Sequence, residues 1–258
     1  MTGIGISKAQ QKLIRSLEQK KHRQREGIFV AEGPKVVGDL LQAGFQAEWL
    51  YSTGPYLQDE ALQVAMAPQV VEVTDEALRR VSFLQHPQGV LAVFRMPEEM
   101  PMPVIDTLKS SIILALDGVQ DPGNLGTIIR IADWFGIDTI CCSMDTADAW
   151  NPKVVQASMG SIARVHIIYM ELTELAEKAK AAGVPVYGML LDGMNIYEQP
   201  LSSHGIIVMG NEGNGISAAM RQHVTHRLLI PDFHKGQTAD SLNVAIATAI
   251  TCSEFRRR

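Results

Sequence analysis

Ile112-Ile-Leu-Ala-Leu-Asp-Gly-Val-Gln-Asp-Pro-Gly-Asn-Leu-Gly-Thr-Ile-Ile-Arg130 is the stretch whose reading decides the fold. Ile112–Leu116 is an uninterrupted apolar run, as in a strand buried on both faces, and it meets Pro122, Gly123 and Gly126, which build a tight entry into a helix. Asn124 is placed to cap that helix, and Arg130 lies nearly two turns along it. Similar short apolar runs recur at Thr139–Cys142, Arg164–Tyr169, Val184–Leu190 and Gly205–Met209, separated by helical segments. The pattern predicts an α/β domain over residues 111–258 with a mostly parallel sheet covered on both faces. Ser241–Arg257 reads as its closing helix, capped by Asp240 or Ser241.

Working outward toward the amino terminus, residues 96–103 read MPEEMPMP, where three prolines suppress helix and sheet alike. We assign 96–110 as a linker. Residues 1–95 alternate helical and extended patterns and predict a second, smaller α/β domain. Its expected helices are Ser7–Lys21, Gly33–Ala43, Leu57–Ala65 and Asp75–Val81, and its expected strands Gly27–Ala31, Ala47–Tyr51, Gln69–Val73 and Gly89–Phe94.

At 258 residues, with 46% hydrophobic and 20% charged residues, the chain has the composition of a soluble globular protein. Nothing in the sequence is long and apolar enough for a membrane span, and Lys8, Lys12, Arg15, Lys20 and Lys21 interrupt any secretory signal, so a cytoplasmic protein with no membrane partner is expected. The three cysteines, two of them adjacent at Cys141 and Cys142, offer neither a disulfide framework nor a metal site. The net charge of −5 hides an asymmetry. Residues 1–26 carry Lys8, Lys12, Arg15, Lys20, Lys21, Arg23 and Arg25 against Glu18 and Glu26, a local balance of +5 that leaves −10 on the rest. Clustered cations suit RNA phosphates, although a solvated helix face explains them equally well.

Neither GxGxxG nor GxxxxGK[ST] is present, which argues against a dinucleotide fold or a P-loop. Polar groups collect instead at three places. One is the Asn124–Arg130 junction, which alone reads as an ordinary capped helix. Another is Ile206-Ile-Val-Met-Gly-Asn-Glu-Gly-Asn-Gly-Ile216, a strand ending in a loop where Gly210, Gly213 and Gly215 are free to take positive φ and where Asn211 and Glu212 sit at the strand's carboxyl end. The third is Leu228-Leu-Ile-Pro231, a loop Asp232–Asp240, and then Ser241-Leu-Asn243, whose amide stands at the start of an apolar helix. One Asn in each cluster suggests a single convergent pocket.

In that order, Asn124-x-Gly126-x-x-x-Arg130, Val208-Met-Gly-Asn-Glu-Gly213 and Ile230-Pro231 with Ser241-Leu-Asn243 resemble the three motifs of the SpoU/TrmH branch of the SPOUT methyltransferases. Residues 1–95 resemble the ribosomal-protein-like substrate-binding domain often fused in front, through Lys20-Lys-x-Arg23, Phe29-Val-Ala-Glu-Gly33 and Pro87-Gln-Gly-Val-Leu-Ala-Val93. The resemblance implies a deep trefoil knot, which general topology argues against. It implies S-adenosylmethionine as cofactor, S-adenosylhomocysteine as product, and no metal. The adenosine would lie among Met209, Gly210, Ile230, Pro231 and Leu242, with Asn211 and Gly213 nearby. Arg130, Asn124, Glu212, Ser241 and Asn243 would carry methyl transfer to a ribose 2′-hydroxyl of RNA, ribosomal RNA before transfer RNA, in a homodimer whose sites are assembled across the interface. A guanidinium keeps its proton, so Arg130 suits anchoring a phosphate and polarising the hydroxyl better than acting as a base. The third motif departs from the family pattern in its long loop, which adds His234 and Lys235 and puts Asp240 where an acidic residue commonly precedes the Ser. A non-catalytic RNA-binding protein of the same fold, and an unrelated α/β enzyme using Glu212 and a histidine on a small molecule, remain alternatives.

Overall fold

The computed structural model describes residues 5–58, 60–62, 68–97, 103, 105–234 and 239–257. Parts of three predicted features, the helix over 57–65, the linker and the 232–240 loop with its Lys235, lie outside the described residues. In chain order the elements are α1 (Lys8–Ser16), α2 (Lys20–Glu26), β1 (Ile28–Glu32), α3 (Pro34–Gln42), β2 (Ala47–Ser52), β3 (Val71–Glu72), α4 (Asp75–Val81), β4 (Val90–Arg95), α5 (Ile105–Ser110), β5 (Ile112–Asp117), α6 (Pro122–Trp134), β6 (Thr139–Cys142), α7 (Pro152–Ala157), β7 (His166–Tyr169), α8 (Leu172–Ala181), β8 (Val186–Asn195), β9 (Gly205–Gly210), α9 (Ala218–Arg221), β10 (His226–Leu229) and α10 (Val244–Arg257). They fall into two compact units, and the segment Asp148–Arg164 clusters with the amino-terminal one although it lies far along the chain.

In the amino-terminal unit a four-stranded sheet runs in the order β1-β4-β2-β3. Its apolar side buries Val30, Leu91 and Val93 with Ile14 and Leu17. On the opposite side Phe29 stacks on Phe94 at 5.6 Å and meets Trp150 at 4.6 Å between ring centroids, so the Asp148–Arg164 segment completes an aromatic core. The helix predicted as continuous over Ser7–Lys21 is two helices. Ser7 caps α1 as expected, but Leu17 turns into the core and breaks the run, and the chain restarts at Lys20. That break buries Arg23, which is only 1% exposed, donates to the carbonyls of Leu17 (2.7 Å) and Glu18 (2.8 Å) and pairs with Asp148. Arg23 is thereby a structural cation rather than one of the RNA contacts expected of it.

Glu32 is a second buried polar clamp: its carboxylate accepts from the Ser82 hydroxyl and from the Phe83 N–H at 2.7 Å. Burial raises its pKa, against the lowering effect of these bonds and of Arg15. Only Val71–Glu72 of the expected strand Gln69–Val73 pairs, and short 3₁₀ turns at Gly54–Tyr56 and Glu60–Leu62 flank the expected start of the helix at Leu57.

The second unit is a six-stranded sheet of order β10-β8-β9-β5-β6-β7 in which every described pairing is parallel. Ile113–Leu116 of β5 are fully buried, as the apolar run predicted. The order is what positions the site, because it sets β5, β9, β8 and β10 side by side with their carboxyl ends together, and Asp117 at the end of β5 pairs with Gly210 at the end of β9. Open α/β sheets bind ligands at such ends. β8 runs past the predicted Leu190 to Asn195, and its register against β10 jumps from Gly188 opposite Arg227 to Met194 opposite Leu228. Residues 189–193 are therefore pushed out of the ladder. A Cβ at Gly193 would lie 2.5 Å from the backbone of Leu228, so glycine is what lets the strands close again after the excursion.

Replacing Asp148 by Ala leaves Arg23 buried with only its carbonyl partners, and is expected to lower unfolding free energy by about 3 kcal/mol. Urea denaturation followed by tryptophan fluorescence measures this; an unchanged midpoint would show that the ion pair does not hold the segment in place.

Candidate active site

Glu212 ties the site together. Its Oε1 accepts from the Asn124 side-chain amide at 3.0 Å and from the Asp121 N–H at 3.2 Å, and its Oε2 accepts from the Gln120 N–H at 3.2 Å. Asn124 in turn accepts from the Asn243 side chain at 2.9 Å. The three polar clusters expected to converge are thus joined through one carboxylate and two amides. Burial pushes the Glu212 carboxyl up, but the bonds from Asn124, its own backbone, Gln120 and Asp121 outweigh it and hold the pKa below the usual glutamate value. An acid so held is a weak base and a firm acceptor.

Local sequence explains each placement. Asp121, not Asn124, caps α6, accepting from the Asn124 N–H at 2.8 Å, because Pro122 at the first helical position moves the start upstream. Freed from capping, the Asn124 side chain faces Glu212. At α10 the cap is neither Asp240 nor Ser241 but Asn243, whose Oδ1 accepts from Ala245 (2.9 Å) and Ile246 (3.3 Å) while its amide reaches Asn124. The glycine-rich loop is closed by reciprocal backbone bonds of 2.9 Å between Asn211 and Gly215. Asn211 also accepts from the Gly213 and Asn214 N–H groups and donates to the Gly118 carbonyl at 2.7 Å. Of the three glycines only Gly215 takes positive φ, at 67°. Gly210 is required for a different reason, since a Cβ there would sit 2.2 Å from the Gly215 carbonyl carbon. Nothing in the structure requires glycine at 213.

Beside this cluster lies a cavity of about 510 Å³. Of the expected cofactor residues, Met209, Gly210, Asn211, Gly213, Ile230 and Leu242 line it, together with Glu212 and Ser241. Pro231 adjoins the wall without forming part of it. Arg130 is exposed, does not line the cavity, and has no ion pair or side-chain hydrogen bond among the described residues. The six-residue spacing turns it away from the face that carries Asn124.

A family profile described as the SpoU rRNA Methylase family matches residues 111–253, more than half of the chain. The chain belongs to the SpoU rRNA methylase family. A second profile, the MRM3-like substrate binding domain, matches residues 8–92 of this SpoU-family chain. It is similar to the 23S rRNA (guanosine(2553)-2′-O)-methyltransferase RlmP of Bacillus subtilis, at 34% identity over 94% of each chain. Among solved structures, it resembles a TrmH-family protein from Porphyromonas gingivalis (43% identity, TM-score 0.85, covering 97% of this chain and 98% of that one). It also resembles an rRNA methyltransferase from Sinorhizobium meliloti with S-adenosylmethionine bound (34%, TM-score 0.82, 96% and 94%).

Reasoning from the sequence of this SpoU-family protein missed one wall of the cavity, Met189–Asp192, and the cation Arg221. The available signal was the continuation of the β8 run through Leu191 and Asp192 to a glycine. It also missed Asp117, whose carboxylate accepts from the Ser217 N–H at 2.7 Å and so anchors the far end of the glycine loop.

A carboxylate whose folded pKa is lowered stabilises the protein fully above the ordinary glutamate range, about 4.3, and that contribution is lost as pH falls through the lowered folded value. Glu212→Gln is therefore expected to be less stable than the parent at pH 7, with the gap closing in acid. Urea melts from pH 7 down to pH 3 would detect this; a gap that widens in acid contradicts the assignment.

Proposed function

We propose that this chain transfers a methyl group from S-adenosylmethionine to a ribose 2′-hydroxyl of ribosomal RNA, as a homodimer. The observation that carries the reading is the Asn124–Glu212–Asn243 cluster at the edge of a cavity of about 510 Å³, within the range of small-molecule sites. Apolar side chains such as Met209, Leu228 and Ile230 suit the faces of an adenosine, and backbone groups of the glycine loop suit its polar edges. Glu212 and Asp240 on the walls suit a ligand bearing a sulfonium and an ammonium. The B. subtilis relative favours ribosomal RNA over transfer RNA as the substrate.

Bound there, S-adenosylmethionine supplies an electrophilic methyl for an in-line displacement, so alignment and exclusion of water carry much of the rate. Glu212, kept ionised and held by its donors, orients Asn124 and does not take the hydroxyl proton, which passes to solvent as the S–CH3 bond breaks, the O–CH3 bond forms and S-adenosylhomocysteine leaves. Asn124 and Asn243 hold one another across the two helix starts and fix the rim beside which the ribose is received. Ser241 adds a hydroxyl to that rim.

Arg130 acts in the partner's cavity. Its exposure, and its absence from its own cavity wall, support this, as does the surface around it. Trp134, four residues on and so on the same face of α6, is 84% exposed, and Ile246 on the adjoining α10 is 53% exposed. Large apolar side chains exposed together on packed helices suit a self-complementary dimer face. The guanidinium would anchor a phosphate flanking the target ribose and polarise its hydroxyl. In the amino-terminal unit Lys8, Lys12 and Lys21 are exposed and available to phosphates, and Lys20 is exposed as well; Arg25 is exposed but paired with Glu26 at 2.7 Å, and Arg15 is shared with the Ser82 carbonyl at 2.7 Å and the Phe83 ring.

The knot of the family belongs to the same proposal. So does a cytoplasmic location, supported by three buried free cysteines.

Transfer of labelled methyl to ribosomal RNA tests the whole reading. Arg130→Ala and Asn243→Ala homodimers are each expected to be inactive, and dimers re-formed from an equal mixture of the two to recover about a quarter of parental turnover, because half are heterodimers with one intact site. Methylation of transfer RNA alone, or a mixture as inactive as its parents, would contradict it.

A further inference from the structure

Arg221 is the one cation among the described residues that line the cavity, against the acids Asp192, Glu212 and Asp240. It is held there by design of the neighbouring loop. The Asp192 carboxylate stands on the segment of β8 pushed out of the ladder, and receives Arg221 Nη2 at 2.9 Å on each oxygen. Arg227 Nη1 reaches the same carboxylate at 3.1 Å. Two guanidinium groups on one carboxylate leave the cluster with a net positive charge. Nη2 is directed at Asp192, and among the described residues the other N–H groups of Arg221 make no hydrogen bond, which leaves them as donors for a ligand in the cavity that Arg221 lines. Holding an arginine this way removes much of the rotamer freedom it would otherwise lose on binding.

The proposed ligand carries a single anionic group, the α-carboxylate of its methionine moiety. Among its described residues the cavity offers a single cation. We infer that Arg221 binds that carboxylate and that Asp192, with Arg227 as its second partner, is the residue that positions Arg221. The assignment rests on the methyltransferase reading above and deepens it, since it fixes which end of the cofactor lies toward α9 and β8. The methionine carboxylate then lies on the Arg221 side, and the sulfonium is left for the wall that carries Glu212. Because the product S-adenosylhomocysteine keeps the same carboxylate, the contact is uniform binding, and it bears on cofactor affinity rather than on the methyl-transfer step.

Calorimetric titration of the full chain with S-adenosylhomocysteine and with its decarboxylated analogue separates this role from a structural one. The parent should bind S-adenosylhomocysteine about tenfold to a hundredfold more tightly than the analogue, the range for a bond between charged groups. Arg221→Ala should lose that preference by weakening S-adenosylhomocysteine alone, Arg221→Lys should keep part of it, and Asp192→Asn should reduce it without changing affinity for the analogue. A variant Arg221→Ala that still prefers the carboxylate by the parental factor, or that weakens both ligands equally, overturns the inference. Failure of the parent to bind S-adenosylhomocysteine at all would instead overturn the methyltransferase reading on which it rests.

Discussion

The Glu212 carboxylate is the interaction on which the site depends. It gathers two backbone N–H groups from the loop after β5 and the Asn124 amide from α6, and through Asn124 it reaches Asn243 at the start of α10. Removing it would leave donors at Gln120 and Asp121 without their partner and would free Asn124 to rotate, so one side chain controls the relative position of three loops. That its pKa lies below the usual glutamate value follows from the same bonds, and ionisation is what makes it a strong acceptor.

Beneath this contact lies the strand order. β9 sits beside β5, so the loops leaving their carboxyl ends are neighbours in space although about 90 residues separate Gln120 from Glu212 in the chain. β8 and β10 extend the same edge, and the excursion of residues 189–193 turns it into a walled cavity. The wall needs two glycines for reasons of space rather than of torsion: Gly193 for the passage beside Leu228, and Gly210 for the return of Gly215 onto the strand. Bulky or branched residues at either point would part the strands that hold the loops.

Much of this was legible in the sequence, and for identifiable reasons. Buried parallel strands are continuous apolar runs, so β5, β6 and β9 were read nearly residue for residue, and the three Asn-bearing clusters pointed to one pocket because polar groups beside apolar runs need partners. What escaped depended on contacts distant in sequence. The cap of α6 fell to Asp121 through a single proline, and the cap of α10 fell to Asn243, which serves as cap and as site residue at once. Arg23 looked like one of seven equivalent cations until Asp148, 125 residues away, paired with it. The excursion in β8 escaped because the run through Leu190, Leu191 and Asp192 to Gly193 shows that the strand continues but carries no periodicity that separates a strand from a bulge, and with it went Arg221. The departure of Arg130 from its own cavity was foreshadowed by its spacing from Asn124.

The central claim, that one carboxylate joins loops from β5, β9 and α10, is tested most directly by amide hydrogen exchange resolved to single residues in the parent and in Glu212→Ala. Gln120 and Asp121, together with Asn211 and Gly215, should lose protection in the variant while Ile113–Leu116 of β5 remain as protected as before. Unchanged protection at Gln120 and Asp121 would show that Glu212 does not hold the loops, and the account of the site built on it would fail.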